Sequence, residues 1–194
     1  MNRITALILG AFLAVATSLP AKAAETYAFD VAGAHVYAGF QISHLGFSTM
    51  HGRFDKLDGS IQYDAANPSA SKVNVVIQTA SVNTHHAQRD GHLKSPDFFN
   101  AGEFPEITFV STKVTPGADG LAKVTGDLTM LGVTKSVTLD AKLINVGPHP
   151  FNKKPIAAWS ARGTIKRSDF GIKYGLPVIG DEVTLLLDIE ANKQ

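Results

Sequence analysis

The chain has 194 residues, of which 44% are apolar and 18% are charged, and 18 Lys and Arg against 17 Asp and Glu leave a formal net charge of +1. These values exclude a disordered or fibrous chain, allow one domain or at most two, and give no support to nucleic-acid binding. Because the sequence has no cysteine, disulfides, thiol nucleophiles, Fe–S clusters and Cys-rich zinc sites are excluded as well.

The first 23 residues have the pattern of a secretory signal peptide. Arg3 supplies a positive charge, residues 4–16 are apolar and uncharged, and the triplet Ala-Lys-Ala at 21–23 fits the small-x-small rule of signal peptidase. We therefore expect cleavage after this triplet, a periplasmic location, and one mature domain of residues 24–194 with a net charge of −1. A retained N-terminal anchor is the alternative. No later apolar run approaches the roughly 18 residues of a membrane span, so we expect no other spanning segment.

After residue 24, apolar and polar residues alternate with period two, which is typical of half-buried β-strands. The predicted strands are, in chain order, residues 27–30, 36–43, 53–63, 73–78, 106–115, 123–130, 137–143, 159–165 and 182–190. Turn signals such as Asp58-Gly59, Asn67-Pro68 and Asp119-Gly120 mark the connections. Eight or nine short strands without long interleaved helices predict an all-β, antiparallel domain.

Residues 81–100 interrupt this alternation. A short helix and loop are predicted around 83–99, with Asn83 or Thr84 as N-cap and an end near Ser95-Pro96. Insertions of this kind are where barrels often carry a lid or a binding site.

The pattern alone does not choose between a sandwich and a closed barrel. A barrel of about eight strands either fills its interior with side chains or holds one small ligand. The candidate inward-facing apolar residues are Phe40, Ile42, Val75, Ile77, Phe109, Met130, Trp159, Leu185 and Leu187. They can line a cavity for an apolar guest or simply fill the core, and the pattern by itself favours a filled core.

Six of the seven histidines lie between residues 35 and 92. A metal site is disfavoured, because His85 and His92 on one helix would be about 10.5 Å apart along its axis and no HExxH motif is present. Helical spacing instead groups His85, Arg89 and His92 into a donor-rich patch that can hold a phosphate or another polar head group. The alternative is an Arg89–Asp ion pair that fixes the loop to the barrel. With no GxSxG, P-loop or GxGxxG motif, we predict no catalytic residues.

Six separated motifs resemble the YceI family of periplasmic, lipocalin-like proteins. In order over about residues 25–192 they are AHVYAGFQISHLGFSTMHGRF, SVNTHHAQRDGHLKSPDFFN, FPEITFVSTKV, GDLTMLGVTKSVTLDAKL, GTIKRSDFGIK and EVTLLLDIEA. Ser136 stands where the family motif usually has proline, and we expect no functional consequence.

The resemblance implies a single antiparallel eight-stranded lipocalin-like barrel with an elongated apolar cavity. The implied ligand is an amphiphilic polyisoprenoid, such as an isoprenoid quinone or a polyprenyl phosphate, and no catalysis, metal or required cofactor is implied. We expect His44, Arg89, His92 and Asp169 to contact the head group, and Phe98 and Phe99 to join the cavity wall. The alternatives are electron transfer by a bound quinone with a membrane cytochrome b, and a periplasmic stress-response role. A homodimer is also compatible with the family.

Overall fold

The computed structural model describes residues 24–194, so the predicted signal peptide at 1–23 lies outside the described residues. The strands are β1 (Glu25–Phe29), β2 (Val36–His44), β3 (Ser48–Phe54), β4 (Leu57–Tyr63), β5 (Lys72–Gln78), β6 (Val82–Asn83), β7 (Glu106–Pro116), β8 (Leu121–Met130), β9 (Val133–Pro148), β10 (Pro155–Lys166) and β11 (Ile179–Lys193). One α-helix, α1 (Ala87–Leu93), and three single 3-10 turns at Pro68–Ala70, Thr79–Ser81 and Arg167–Phe170 complete the fold. Within residues 24–194, no helix has the length and apolar character needed to cross a bilayer.

Eight strands close into an antiparallel barrel. They follow the order β1-β4-β5-β7-β8-β9-β10-β11, and β1 closes the ring by pairing with β11, where Tyr27 lies opposite Lys193. Strand β11 pairs with β1 only near its C-terminal end. Over the rest of its length its partner is β2, from the pair Ile189–Val36 to the pair Ile179–His44. Strands β3 and β6 extend this side of the sheet. The predicted all-β fold, with one closed eight-stranded antiparallel barrel and a short helical insert, is confirmed.

Tight turns join the long strands of the barrel. Between β8 and β9, Leu131 and Gly132 have φ of 53° and 71°, the left-handed conformation that two-residue hairpin loops require. Between β7 and β8, Asp119 and Gly120 are also left-handed, as the turn signal at these residues predicts. The connections from β9 to β10 and from β10 to β11 are longer, with 6 and 12 residues, and β9, β10 and β11 all extend beyond their predicted bounds.

Two local predictions are wrong. Residues 53–63 form two strands rather than one, because the chain leaves β3 after Phe54 and starts β4 at Leu57, so the predicted turn at Asp58-Gly59 lies inside β4. The N-cap of α1 is His86, whose side chain accepts a hydrogen bond from the backbone N–H of Arg89, not Asn83 or Thr84.

Candidate ligand-binding cavity

A cavity of about 770 Å³ lies inside the barrel, within the size range of small-molecule sites. All eight barrel strands contribute to its wall, together with β2, β3 and the insert. At one end the wall includes His44, at the end of β2, and Ile179, its partner at the start of β11. At the other end it includes Gly117 and Leu121, on either side of the β7–β8 turn. The cavity is therefore elongated along the barrel, as predicted.

The structure places every predicted apolar lining residue on this wall. They are Phe40, Ile42, Val75, Ile77, Phe98, Phe99, Phe109, Met130, Trp159, Leu185 and Leu187. Their contact with a ligand remains a prediction. The preference for a filled core, drawn from the alternation alone, is wrong.

Several wall residues at paired positions of neighbouring strands are small. Ala122, Ala141 and Ala161 lie directly opposite one another on β8, β9 and β10, and all three are on the cavity wall. Farther round the barrel, Ala38 of β2 pairs with Leu187, which in turn pairs with Ala161. A methyl group extends little beyond the sheet, so these positions of the wall leave space inside the barrel. These alanines form a belt whose alignment depends on strand register, so the sequence by itself does not show it.

Polar side chains of the wall gather towards the end marked by the His44–Ile179 pair, which we call the polar end. Here the His92 ring, on α1, lies 5.0 Å from the ring of Phe98 and 4.9 Å from that of Tyr174, both edge to face. Its Nε2 atom also lies 2.8 Å from Oδ2 of Asp97. These contacts join the insert to the loop at 171–178. His44, Arg89 and His92, three of the four predicted head-group residues, lie on the cavity wall at this end or on the insert beside it.

The hydrogen bonds of Arg89 stay within the insert and go to Thr84, not to an acidic residue. Its Nε donates to Oγ1 of Thr84 at 2.7 Å, and its Nη2 donates to the backbone oxygen of Thr84 at 2.8 Å. Thr84 is buried, and its hydroxyl and backbone N–H both donate to Asp90. Although burial opposes ionisation of Asp90, these hydrogen bonds hold its pKa below the usual value. The Thr84 hydroxyl therefore lies between Arg89 and Asp90, so the predicted Arg89–Asp pair is not a direct hydrogen-bonded one, although the Arg89 charge also helps to lower the pKa of Asp90.

The predicted grouping of His85 with Arg89 and His92 on one helix face is also wrong. The helix begins at Ala87, and His85 lies before it with a left-handed φ of 58°. Of the proposed donor-rich patch, Arg89 and His92 remain on the cavity wall.

Asp169 lies outside the cavity wall. It is an exposed residue of the 3-10 turn Arg167–Phe170. The carboxylate that organises this turn is Asp181, which accepts hydrogen bonds from Ser168 N at 2.9 Å and from Ser168 Oγ at 2.7 Å. These bonds from Ser168 hold the pKa of Asp181 below its ordinary value.

Arg167 is a charged wall residue that the sequence did not indicate. Its side chain is 4% exposed, and it donates to the backbone oxygens of Gly180 (2.7 Å), Tyr174 (2.9 Å), Ile179 (3.1 Å) and Ile172 (3.3 Å). Burial lowers its pKa, while nearby Asp181 acts in the opposite direction. A buried cation thus lies at the polar end of the cavity, with its donors on carbonyl oxygens. Backbone partners leave no trace in the residue pattern, so no sequence signal could have indicated its burial.

Among residues 24–194, one group of three side chains has atoms close enough to share a metal ion: Asp30, His35 and Glu190. His35 Nδ1 lies 2.7 Å from Asp30 and 3.7 Å from Glu190, and a hydrogen bond between His35 and Asp30 accounts for the shorter contact without a metal ion. The hydrogen bond from His35 is the main reason that the pKa of Asp30 is lowered. The group is absent from the cavity wall and includes no histidine of the insert.

Comparison with known proteins gives one consistent result. The family model described as a YceI-like domain matches residues 27–191. Protein YceI of Escherichia coli O17:K52:H18 is 45% identical over 183 residues, which cover 94% of this chain and 95% of that protein.

Solved structures show the same barrel. The YCEI protein of Campylobacter jejuni superposes with a TM-score of 0.69 at 36% identity, covering 78% of this chain and 90% of that one. A polyisoprenoid binding domain from Saccharophagus degradans, implicated in plant cell wall breakdown, has a TM-score of 0.63 at 19% identity and covers 89% of this chain and 100% of that one. At 19% identity, this second likeness is one of fold.

Proposed function

Since the chain belongs to the YceI family, we propose that it is a binding or carrier protein for an amphiphilic lipid with a polyisoprenoid tail. The observation that carries the proposal is the shape and polarity of the cavity, which is long and apolar and has its cationic and imidazole side chains towards one end. The polyisoprenoid-binding domain with the same fold supports the choice of ligand class. In this proposal the protein carries its ligand and does not convert it.

The energetics favour such a ligand. Burial of apolar carbon contributes about 0.8 kcal/mol per methylene, so a tail with about 20 buried carbons gains roughly 16 kcal/mol before the ordering costs are subtracted. Few polar contacts are then needed, and their role is to orient the head group.

We infer that the head group lies at the polar end, near His44, Arg89 and His92, with the tail directed towards Leu121. Arg89 engages Thr84 through Nε and Nη2, and neither bond involves Nη1. Both a quinone carbonyl and a phosphate accept hydrogen bonds, so both head groups suit these donors. Electron transfer between a bound quinone and a membrane cytochrome b remains a prediction that depends on which head group is found.

We also propose that residues 1–23 direct export to the periplasm and are removed. Cell fractionation and the intact mass of the mature chain test this. A chain that retains Met1 in the soluble cytoplasmic fraction would contradict it.

The ligand proposal is tested by mass spectrometry of lipid extracted from protein purified under mild conditions from its own host. We expect a polyisoprenoid lipid at close to one per chain. Ala141→Phe adds a ring at the belt of alanines and should lower the lipid content at least fivefold. Lys142→Phe adds the same ring to the exposed neighbour and should leave it unchanged.

Two results would overturn the proposal. One is wild-type protein without stoichiometric lipid that also fails to bind added prenyl quinone or prenyl phosphate. The other is equal lipid content in the two variants, both folded as judged by cooperative thermal unfolding, because the cavity would then not be the site.

A further inference from the structure

Two neighbouring turns at the polar end of the cavity expose apolar side chains to solvent. Phe47 is 93% exposed, Val178 59%, Tyr174 49% and Leu45 46%. We call these four residues the apolar rim. A contiguous apolar patch of this kind on a soluble domain usually marks an interaction site.

The apolar rim is continuous with the cavity. The backbone N–H of Leu45 donates to the carbonyl oxygen of Val178 at 3.1 Å, which joins the two turns. The residues beside them, His44 and Ile179, pair across β2 and β11 and lie on the cavity wall. Tyr174 is itself part of the wall. Whatever covers the rim therefore borders the end of the cavity where we place the head group.

The β2–β3 turn holds its apolar residues outward. Leu45 and Gly46 have φ of 56° and 72°, and the N–H of Phe47 donates to the oxygen of His44 at 3.0 Å. Leucine rarely adopts a left-handed conformation, and asparagine or glycine is the usual choice at an exposed turn. The sequence thus places two large apolar side chains where the turn itself favours small or polar ones.

Charge indicates the kind of partner. Within residues 43–50 and 170–180, which carry the rim, the one Lys, Arg, Asp or Glu side chain is Lys173, beside Tyr174, and the nearest acidic residues along the chain are Asp169 and Asp181, of which Asp181 binds Ser168. Aromatic and aliphatic side chains next to a lysine suit the boundary of an anionic bilayer, where the apolar groups enter the acyl region and the ammonium meets lipid phosphates.

The exposed area argues against a second copy of the chain. At roughly 150 to 250 Å² per large side chain, the four residues expose on the order of 450 Å². A stable protein interface buries about 800 Å² on each partner. A fluid bilayer has no such minimum, because each side chain enters it independently.

We propose that the apolar rim docks onto the surface of an anionic phospholipid bilayer and presents the polar end of the cavity to it. The purpose of docking, which is loading or release of a lipid too insoluble to cross water, rests on the proposed function. Docking itself needs no bound ligand and is measured separately.

The test is flotation of the mature chain with vesicles of phosphatidylcholine, with and without phosphatidylglycerol. We expect binding that increases with phosphatidylglycerol and falls about tenfold in Phe47→Ser, which corresponds to one apolar side chain withdrawn from the interface. Lys173→Gln should lower binding to the anionic vesicles about fivefold and leave binding to pure phosphatidylcholine unchanged.

Phe151→Ser is the matched control. Phe151 is 89% exposed, in the β9–β10 hairpin at the opposite end of the barrel, so its loss should leave vesicle binding unchanged. Docking by the rim is overturned if wild-type protein floats with neither vesicle, or if Phe151→Ser weakens binding as much as Phe47→Ser. It is also overturned if sedimentation reveals a dimer that Phe47→Ser dissociates, since a second copy would then cover the rim.

Lipid extraction from the same preparations separates the two proposals. Protein that contains a polyisoprenoid but does not bind vesicles overturns docking alone. Protein that binds vesicles through Phe47 but contains and binds no polyisoprenoid overturns the proposed function alone.

Discussion

Arg167 donates a hydrogen bond from Nη1 to the carbonyl oxygen of Tyr174 at 2.9 Å, and the ring of Tyr174 packs against His92 of the insert. The buried cation of the cavity wall therefore fixes the loop that contacts the insert. The same guanidinium bonds to the oxygens of Ile179 and Gly180 at the start of β11. One side chain therefore connects the end of β10, the loop at 171–178 and the first residues of β11. The polar end of the cavity is built around it.

We expect Arg167→Met to lower the free energy of unfolding by about 3 kcal/mol. Each buried carbonyl oxygen that loses its donor costs about 1–3 kcal/mol, and water will replace Arg167 as donor to some of the four oxygens. At this chain length, that corresponds to a fall in Tm of roughly 6–12 °C. Urea and thermal unfolding measure the loss. Arg162→Met is the control, since Arg162 forms an exposed ion pair with Asp188 and should cost less than about 1 kcal/mol. Equal losses in the two variants would show that the buried bonds of Arg167 contribute nothing special.

Thr84→Val should loosen the insert while keeping the shape of the side chain. The change removes the hydroxyl that accepts from Arg89 and donates to Asp90, and we expect a loss of about 1–3 kcal/mol. Amide hydrogen exchange of α1 should accelerate, whereas exchange in β8 and β9 should change little. Thr84→Ser retains the hydroxyl and should retain most of the protection. Unchanged exchange in α1 of Thr84→Val would contradict this account.

Trp159, the single tryptophan of the chain, reports the orientation of the ligand. It lies on the cavity wall seven residues before the end of β10, about 23 Å along the strand from the polar end, with the rings of Tyr27 and Tyr63 at 5.6 and 6.0 Å. A prenyl lipid brominated at the tail should therefore quench its fluorescence by contact, and the same lipid brominated at the head group should not. The reverse result would place the head group at the opposite end.

Stability should fall in acid, partly through Asp181. The folded-state pKa of Asp181 is lowered by Ser168, whereas the unfolded value is about 3.9. The unfolded chain then binds the proton more readily, so this contribution to stability is fully present above about pH 4 and is lost as the pH falls through the folded-state value. Urea midpoints measured from about pH 5 down to pH 2.5 should decline less steeply in Asp181→Asn than in the wild type. Asp127→Asn, on the exposed face of β8, is the control, and identical slopes in all three proteins would contradict the assignment.

Much of the site could be predicted because side chains of a strand alternate between two faces. That rule places Phe40 and Ile42 of β2, and Leu185 and Leu187 of β11, on one face each, and the structure has them all on the cavity wall. The insert was also evident, because residues 81–100 lack the alternation. The hydrogen bonds within the insert could not be predicted. A threonine at position 84 suits a helix N-cap and a buried partner of Arg89 equally well, and the sequence does not distinguish the two roles.

The sequence by itself determined most of the strands and their inward faces, because alternation is a pattern of residues close together along the chain, and it determined the family through motifs whose order along the chain is visible without the fold. Only the tertiary structure decided whether the inward residues fill the barrel or leave a cavity. That outcome depends on strand register, which places Ala122, Ala141 and Ala161 directly opposite one another although about twenty residues separate each from the next. The tertiary structure likewise decided that Arg167, and not Asp169, belongs to the wall. Its partners are backbone oxygens, and every residue type carries one.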